Sequence, residues 1–335
     1  MAETARGTVV VAGTSFPSLE IERSVLEPLG FRVVDAGGLP EEEVLAACRS
    51  AAAVMTDYFR CDPERIAGFE RCRVICQYGV GLDQIDVEAA TRARILVTHT
   101  PEYCVDELAD HAMALVLAVA RRIVRYDRSV REGAWDYNVG TPIRLAGSTL
   151  GLVGLGRVGQ AVAKRAAGFG LRVIACDAYV PEETFEGLGV ERVELEELLL
   201  ESDIVSVHVP LSDETRHLLG GPELRLLKPS AIVVNTSRGG VVDQAALLEA
   251  LASGRLGGAG LDVLEEEPPP AGEPLLARED VVLTPHAGFL SIDSLRRVQQ
   301  EAAEEVARAL TGSRPKYCVN FDAVNAETTL SVREG

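Results

Sequence analysis

The chain is predicted to be an α/β protein made of two doubly wound parallel-sheet domains. Three observations carry that expectation. Short β-branched runs alternate with helical patterns, the alternation breaks at a polar stretch and restarts, and a glycine-rich strand-to-helix junction stands at the restart. With 335 residues, 47% of them hydrophobic, the chain has enough apolar side chain for about two cores.

The first series runs TVVVAG, an amphipathic stretch near Leu19 to Leu29, FRVVDA, EEEVLAACRS, AAVMT and CRVICQYG. Strand, helix, strand, helix in that order describes βαβ units, whose strands lie parallel. Glu107 to Val124 is mostly apolar, with Asp106 near its start and Arg121, Arg122 and Arg125 near its end. This charge order suits the dipole of one long helix. A polar stretch from Arg125 to Gly147 follows and contains the only tryptophan, Trp135. The second series, TLGLVGLG, LRVIACD, DIVSVHVP, AIVVNTS, GGAGLDVL and VVLTPHAG, supplies six strand candidates. Ser291 to Thr311 reads as a further helix, and the tail with YCVN is expected to return to the first domain.

Composition narrows the function. A formal charge of −18 without a basic stripe argues against nucleic acid or an anionic membrane as partner. The seven cysteines show no zinc-ligand spacing and read as small buried hydrophobes in a reducing compartment. The N-terminal MAETARGTVVVAG has no signal-peptide pattern, and no apolar run reaches membrane-spanning length. A soluble, cytoplasmic protein without a metal is expected.

In GLVGLGRVGQAVAKR, Gly154, Gly156 and Gly159 form G-x-G-x-x-G between an apolar strand and a helix. The first glycine allows the tight turn, the second lets backbone approach a pyrophosphate, and the third lets helix and strand pack closely. The pyrophosphate is expected over the amides of Arg157 and Val158 at the helix N-terminus. Asp177 ends the next strand, eighteen residues after Gly159, where a carboxylate would hold the ribose hydroxyls. No arginine adjoins it in sequence and its charge would repel a 2′-phosphate, so NAD is favoured over NADP.

In such a sheet the chemistry lies beyond the carboxyl ends of the strands. There the sequence places NTSRGG, LDVLEEEPP and TPHAGF, bringing an arginine, a carboxylate and a histidine toward one edge. Reduction of a 2-oxo acid needs a proton donor, which histidine supplies near neutral pH. A neighbouring carboxylate favours imidazolium and fixes the tautomer. Arginine offers a planar fork to the substrate carboxylate and carbonyl oxygen. Which of Glu265, Glu266 and Glu267 is the working carboxylate stays open on these grounds.

Through YGVGLDQIDVEAAT, GLVGLGRVGQAVAKR, HVPLSDETRHLL, VVNTSRGGVVD, LDVLEEEP and TPHAG, the chain resembles the D-isomer-specific 2-hydroxy acid dehydrogenases. That family includes phosphoglycerate dehydrogenase and the C-terminal-binding-protein corepressors. The resemblance implies a Rossmann cofactor domain, 103–291, inserted into a flavodoxin-like substrate domain, 1–102 plus 292–335, with the active site in a cleft. It implies that Arg238, Glu267 and His286 are the catalytic set, leaving Glu265 and Glu266 as solvated loop charges. Leu108, Val209, Pro210, Thr215, Thr236, Asp262 and Gly288 join the glycine turn as cofactor contacts, and Val80, Gly81, Tyr103, Arg238 and Phe289 meet the substrate.

The implied activity is NAD-dependent oxidoreduction at the CH–OH group of a small 2-hydroxy or 2-oxo acid. Substrate choice is expected from Gly13 to Phe16, Tyr58 to Arg60 and Phe289; Arg60 reads as a surface arginine, the alternative being a contact to a second acidic group. Departures from the family pattern are Gln84 in place of asparagine and Leu290 in place of tyrosine. The other histidines read plainly: His99 and His217 as loop or surface groups, His111 as a helix residue and His208 as a strand-end residue beside the cofactor. Gly133 to Leu150, with Trp135 and Tyr137, corresponds to the arm by which relatives form homodimers, ordinary core being the alternative. The competing function is an NADH-sensing corepressor or adaptor, suggested by PEYCVDELADHAMALVLAVARR.

Overall fold

The computed structural model describes residues 6–330 apart from Ser15 and Val139, with backbone alone at 327–330. Within the sequence expectations, Ser15 of the Gly13–Phe16 loop and Val139 of the Gly133–Leu150 arm lie outside the described residues. The chain forms two compact units, Met1–Cys104 with Ser291–Gly335, and Val105–Leu290.

In the first unit, β1 (Gly7–Ala12), β2 (Phe31–Asp35), β3 (Ala53–Thr56), β4 (Val74–Gln77) and β5 (Leu96–Thr98) form one parallel sheet in the order β2-β1-β3-β4-β5. That order is the flavodoxin-like one. Between the strands run α1 (Glu20–Leu26), α2 (Glu41–Arg49), α3 (Pro63–Ala67) and α4 (Val87–Arg92). The amphipathic stretch near Leu19 to Leu29 divides at its proline: α1 is followed by a tighter 3₁₀ turn at Glu27–Leu29 containing Pro28, which has no N–H to continue an α-helix. Val10, Val54, Ile75 and Val97 are fully buried in one core of this unit.

The second unit contains α5 (Val105–Ala120), α6 (Ile123–Arg131), β6 (Thr149–Val153), α7 (Arg157–Ala167), β7 (Arg172–Cys176), α8 (Glu182–Leu188), β8 (Glu191–Arg192), α9 (Leu195–Glu201) and β9 (Ile204–Val207). It continues with α10 (Gly221–Leu226), β10 (Ile232–Asn235), α11 (Gln244–Ala252), β11 (Gly258–Leu261) and β12 (Val281–Leu283). Its sheet is parallel throughout, in the order β12-β11-β10-β9-β6-β7-β8. Strand order reverses between β6 and β9, the switch point at which this topology binds dinucleotides. Alternation along β10 explains the two-sided covering. Ile232 and Val234 enter the core shared with α5 and α7, while Val233 enters the core beneath Leu198, Leu224 and Leu247. Each such leucine or valine contributes roughly 1.5–3 kcal/mol by leaving water.

Back in the first unit, α12 (Ile292–Thr311) and α13 (Phe321–Leu330) complete the chain. Ser291 caps α12 by accepting from the Ser294 N–H at 2.8 Å, and the Ser294 hydroxyl accepts from the Ser291 N–H at 2.9 Å. The YCVN tail does return to this unit: the Val319 N–H donates to the Val97 carbonyl at 3.0 Å and the His99 N–H to the Tyr317 carbonyl at 3.2 Å. Asn320 accepts from the Val97 N–H at 2.8 Å and donates to the Ile95 carbonyl at 2.9 Å. The tail thereby covers the open edge of β5.

The structure departs from the sequence reading in several elements. The helix expected through Val124 ends at Ala120, because Arg122 takes a left-handed backbone (φ 57°) and donates from Nη2 to the Gly257 carbonyl at 2.8 Å. The Ile143 N–H satisfies the Ala120 carbonyl at 2.8 Å, and α6 starts anew at Ile123. Strand β5 was not expected, and the edge strand β8, two residues long, is too short to display alternation. The helix α13 was also not foreseen. Trp135 and Tyr137, for which core was the alternative, are 92% and 82% exposed.

Candidate active site

The glycine turn shows why each glycine stands where it does. Gly154, directly after β6, has φ 98°, and a Cβ there would lie 2.9 Å from the His208 carbonyl carbon and oxygen. A Cβ on Gly159 would lie 2.3 Å from the Gly154 oxygen, so α7 could not approach the turn. Gly156, the residue before α7, is different: a Cβ there would meet nothing within 4 Å. Its surface and the exposed helix N-terminus are left for a ligand phosphate. Thr236, after β10, presents a buried hydroxyl oxygen with no protein partner. Both features fit a bound dinucleotide.

The Asp177 carboxylate is held after β7 by amide donors, Leu155 to Oδ2 at 2.8 Å, and Tyr179 and Val180 to Oδ1 at 2.8 and 3.0 Å. The fold also brings in an arginine that sequence adjacency did not suggest: Arg192 of β8 donates from Nη2 to the Asp177 backbone carbonyl at 3.1 Å. At the other side of the turn, His208 is partly buried with Nε2 2.9 Å from Ser206 Oγ, and burial lowers its pKa to about 4. Thr215 holds the loop after β9 by donating to the Pro210 carbonyl at 2.6 Å.

Arg238, Glu267 and His286 follow three neighbouring strands, β10, β11 and β12. His286 Nδ1 lies 2.6 Å from Glu267 Oε2, and the Leu264 N–H donates to Glu267 Oε1 at 2.9 Å. Partial burial disfavours the Glu267 carboxylate, but the hydrogen bonds from His286 and Leu264 and the nearby positive charges of His286 and Arg238 together outweigh it. The pKa is lowered on balance. An ionised Glu267 can only accept, so Nδ1 carries the proton and Nε2 is the ring atom left for a reactant. Arg238 is placed by its turn: Asn235 Nδ2 donates to the Arg238 carbonyl at 2.9 Å, and Arg238 Nη1 donates to the Ser237 carbonyl at 2.8 Å.

Asp262, expected as a cofactor contact, is the centre of a hydrogen-bond network. Buried at 2% exposure, it accepts from the Ala287 and Gly288 amides at 2.9 Å each and from the Thr284 hydroxyl at 2.6 Å. Burial opposes its ionisation, yet His111, Thr284 and the two amides together keep its pKa below the usual range. His111, expected as a plain helix residue, lies with Nε2 2.8 Å from Thr284 Oγ1. This network bends the Pro285–Gly288 turn and holds His286 in a left-handed backbone, φ 52°. Leu108 closes on the same turn, 3.1 Å from where a Gly288 Cβ would be, and Phe289 follows half-buried.

In the first unit, the Val80–Gly81 loop leaves β4 through Gly79, whose N–H donates to Thr100 Oγ1 at 2.9 Å. His99 Nδ1 lies 2.8 Å from the Val80 carbonyl, so this histidine supports the loop. Tyr78 is buried beneath it, donating to the buried Glu22 at 2.8 Å. Tyr103 is also buried, and Arg60 is exposed. Glu265 is exposed, as a loop charge would be, and also has two partners: Oε1 accepts from the Gln244 N–H at 3.0 Å and lies 3.0 Å from His217 Nε2.

A doubly wound sheet with a phosphate-binding glycine turn and a histidine–carboxylate pair beyond its strand ends defines a nicotinamide-dependent oxidoreductase. Residues 113–288 match the model of the D-isomer specific 2-hydroxyacid dehydrogenase NAD-binding domain. The chain is 46% identical over 281 residues to glyoxylate reductase of Korarchaeum cryptofilum, covering 83% of this chain and 84% of that one. It is 40% identical over 305 residues to D-3-phosphoglycerate dehydrogenase of Methanocaldococcus jannaschii, covering 90% of this chain and 58% of that one. Among solved structures, D-lactate dehydrogenase of Aquifex aeolicus, complexed with NAD and lactic acid, superposes with a TM-score of 0.82 at 27% identity, covering 93% and 98%. The chain belongs to the D-isomer-specific 2-hydroxyacid dehydrogenase family and is an NAD-dependent oxidoreductase acting on 2-hydroxy acids.

Proposed function

We propose that the protein reduces a small 2-oxo acid with His286 as proton donor, Glu267 as its supporting carboxylate and Arg238 as the substrate's anchor. The observation that carries this reading is the 2.6 Å His286–Glu267 bond, which engages Nδ1 and leaves Nε2 as the ring nitrogen for proton transfer. When bound, NADH would supply the hydride that the carbonyl carbon receives. His286 Nε2 gives a proton to the carbonyl oxygen, and Glu267 stabilises the imidazolium before transfer and fixes the tautomer after it. Arg238 pairs with the substrate carboxylate and draws negative charge off the carbonyl oxygen. Oxidation of the 2-hydroxy acid needs neutral His286 and therefore improves as pH rises. Gly154, Gly156, Arg157, Val158 and Gly159 would hold the pyrophosphate, Asp177 the ribose, and Leu108, Val209, Pro210, Thr215, Thr236, Asp262 and Gly288 the remaining length of the cofactor. The amides of Val80 and Gly81, with Tyr103 and Phe289, would meet the substrate.

The names of the relatives favour glyoxylate as first substrate to try, followed by the oxo acids corresponding to lactate and 3-phosphoglycerate. The test is NADH consumption by purified protein across these 2-oxo acids. Turnover that disappears in His286→Ala with NADH binding retained supports the reading; tight NADH binding without turnover on any of them refutes it and favours an adaptor role.

A homodimer is part of the proposal. Trp135 and Tyr137, with Ile123, Val124 and Val130 of α6, expose large apolar surface that a second copy would cover. A monomeric mass in solution at micromolar concentration would overturn it. The cysteines are free thiols, five of the seven buried, which supports a reducing, cytoplasmic setting. Among the described residues no helix is long and apolar enough to cross a membrane, and no histidine, cysteine or carboxylate group forms a metal site.

A further inference from the structure

We propose that Glu265 is a positioning residue for the Glu267–His286 pair, an inference that rests on the hydride-transfer reading above. Glu265 and Gln244 bond reciprocally: the Gln244 N–H donates to Glu265 Oε1 at 3.0 Å, and the Glu265 N–H donates to Gln244 Oε1 at 3.1 Å. Gln244 is the first residue of α11, whose start is fixed by Asp243 accepting from the Ala246 N–H at 2.9 Å. The loop after β11 is therefore tied to the beginning of a well-packed helix. His217 adds a second tie, with Nε2 3.0 Å from Glu265 Oε1, while its own N–H donates to the Gly240 carbonyl at 2.8 Å.

The consequence reaches Glu267 through one residue. Leu264 immediately precedes Glu265, and its N–H is the backbone donor to Glu267 Oε1 at 2.9 Å. On its other side Leu264 presses on the Arg238 turn so closely that a Cβ on Gly239 would lie 1.9 Å from its carbonyl carbon. Contact with Gly239 stops the loop from moving inward, and the Glu265–Gln244 pair stops it from lifting away. Where Leu264 sits decides where the Glu267 carboxylate can meet His286. Without the Glu265 carboxylate the ties to the Gln244 N–H and His217 Nε2 are lost, only the Glu265 N–H bond to Gln244 Oε1 remains, and the loop samples positions in which the 2.6 Å bond is longer. Glu266, between the two, is exposed and has no such geometry.

The test uses the full chain and compares Glu265→Ala with Glu265→Gln, which still offers an oxygen to the Gln244 N–H. The first readout needs no turnover. It is the solvent-exchange rate of the His286 Nδ1 proton by NMR, assigned by its loss in His286→Asn. The second is kcat and KM on whichever 2-oxo acid the parent reduces. Glu265→Ala is expected to speed proton exchange and lower kcat about 5-fold, the size of one or two lost hydrogen bonds, leaving NADH affinity unchanged. Glu265→Gln is expected to return both within about 2-fold of the parent. Exchange in the alanine variant equal to the parent's, or a glutamine variant as impaired as the alanine one, overturns the assignment. If the parent turns over none of the 2-oxo acids, the hydride-transfer reading fails by itself, and the exchange rates still decide whether Glu265 holds the pair.

Discussion

Replacing Glu267 by glutamine separates charge from shape. The carboxylate accepts from two donors, His286 Nδ1 at 2.6 Å and the Leu264 N–H at 2.9 Å. A glutamine has one oxygen, so one donor must face its NH₂. If the oxygen serves Leu264, the NH₂ confronts Nδ1 and the proton moves to Nε2; if it serves His286, the Leu264 amide loses its partner. Either way a charge-assisted bond worth roughly 1.5–3 kcal/mol becomes at best a neutral one. At about 1.4 kcal/mol per decade, kcat/KM for reduction should fall about 10- to 100-fold, and further in Glu267→Ala, which removes orientation as well. Glu267 has a lowered pKa, so in the parent it stays ionised until the pH falls below the usual carboxylate range. The assay is initial rate against pH in both directions with saturating NADH or NAD. Reduction rates within 2-fold of the parent and a superimposable profile would refute the role given to Glu267.

Protonating His208 should destabilise the second unit in acid. Its folded pKa is lowered to about 4 from 6.5, so the unfolded chain takes up a proton as pH drops from about 6.5 to 4, and up to about 3 kcal/mol of stability goes with it. Thermal melts of His208→Gln should depend less on pH across that window than melts of the parent; identical slopes would remove His208 as the cause. Gly159→Ala places a methyl 2.3 Å from the Gly154 oxygen, so α7 must move off the turn at a cost of about 1–3 kcal/mol, and a fluorescence titration should show weaker NADH binding. Asp177→Ser removes the charge that repels a 2′-phosphate and leaves the Arg192 guanidinium beside the same residue. NADPH affinity should rise relative to NADH in direct binding measurements, and Arg192→Ala in that background should cancel the gain; no change in the ratio would show that this pocket does not discriminate.

The parts of the fold that could be read in advance are those whose pattern lies within a dozen residues. Alternation of apolar and turn residues announced β1 to β4 and β6, β7 and β9 to β12, and Ser291 with its following apolar period announced α12. Strand β8 has two residues and carries no period, so it stayed hidden as β5 did, and with β8 went Arg192, the cation beside Asp177. The break at Arg122 was equally illegible, because it depends on a carbonyl at Gly257 that the linear pattern does not connect with α5.

The candidate site divides in the same way. G-x-G-x-x-G, the SRGG turn, the EP step and the PHAG turn are short covalent patterns, and the amino-acid sequence alone determined their chemistry and their family. It could not determine that Asp262, Thr284 and His111 join to bend the turn that carries His286, nor that the exposed Glu265 bonds Gln244. Those partners are separated by between 21 and 173 residues, and only the parallel sheet brings β11, β12 and the starts of α5 and α11 to the same end. Local sequence specifies which groups can react, because conformational preference and functional-group chemistry are properties of neighbouring residues. The distances at which these groups meet come from strand order and helix packing, which exist only once the cores have closed.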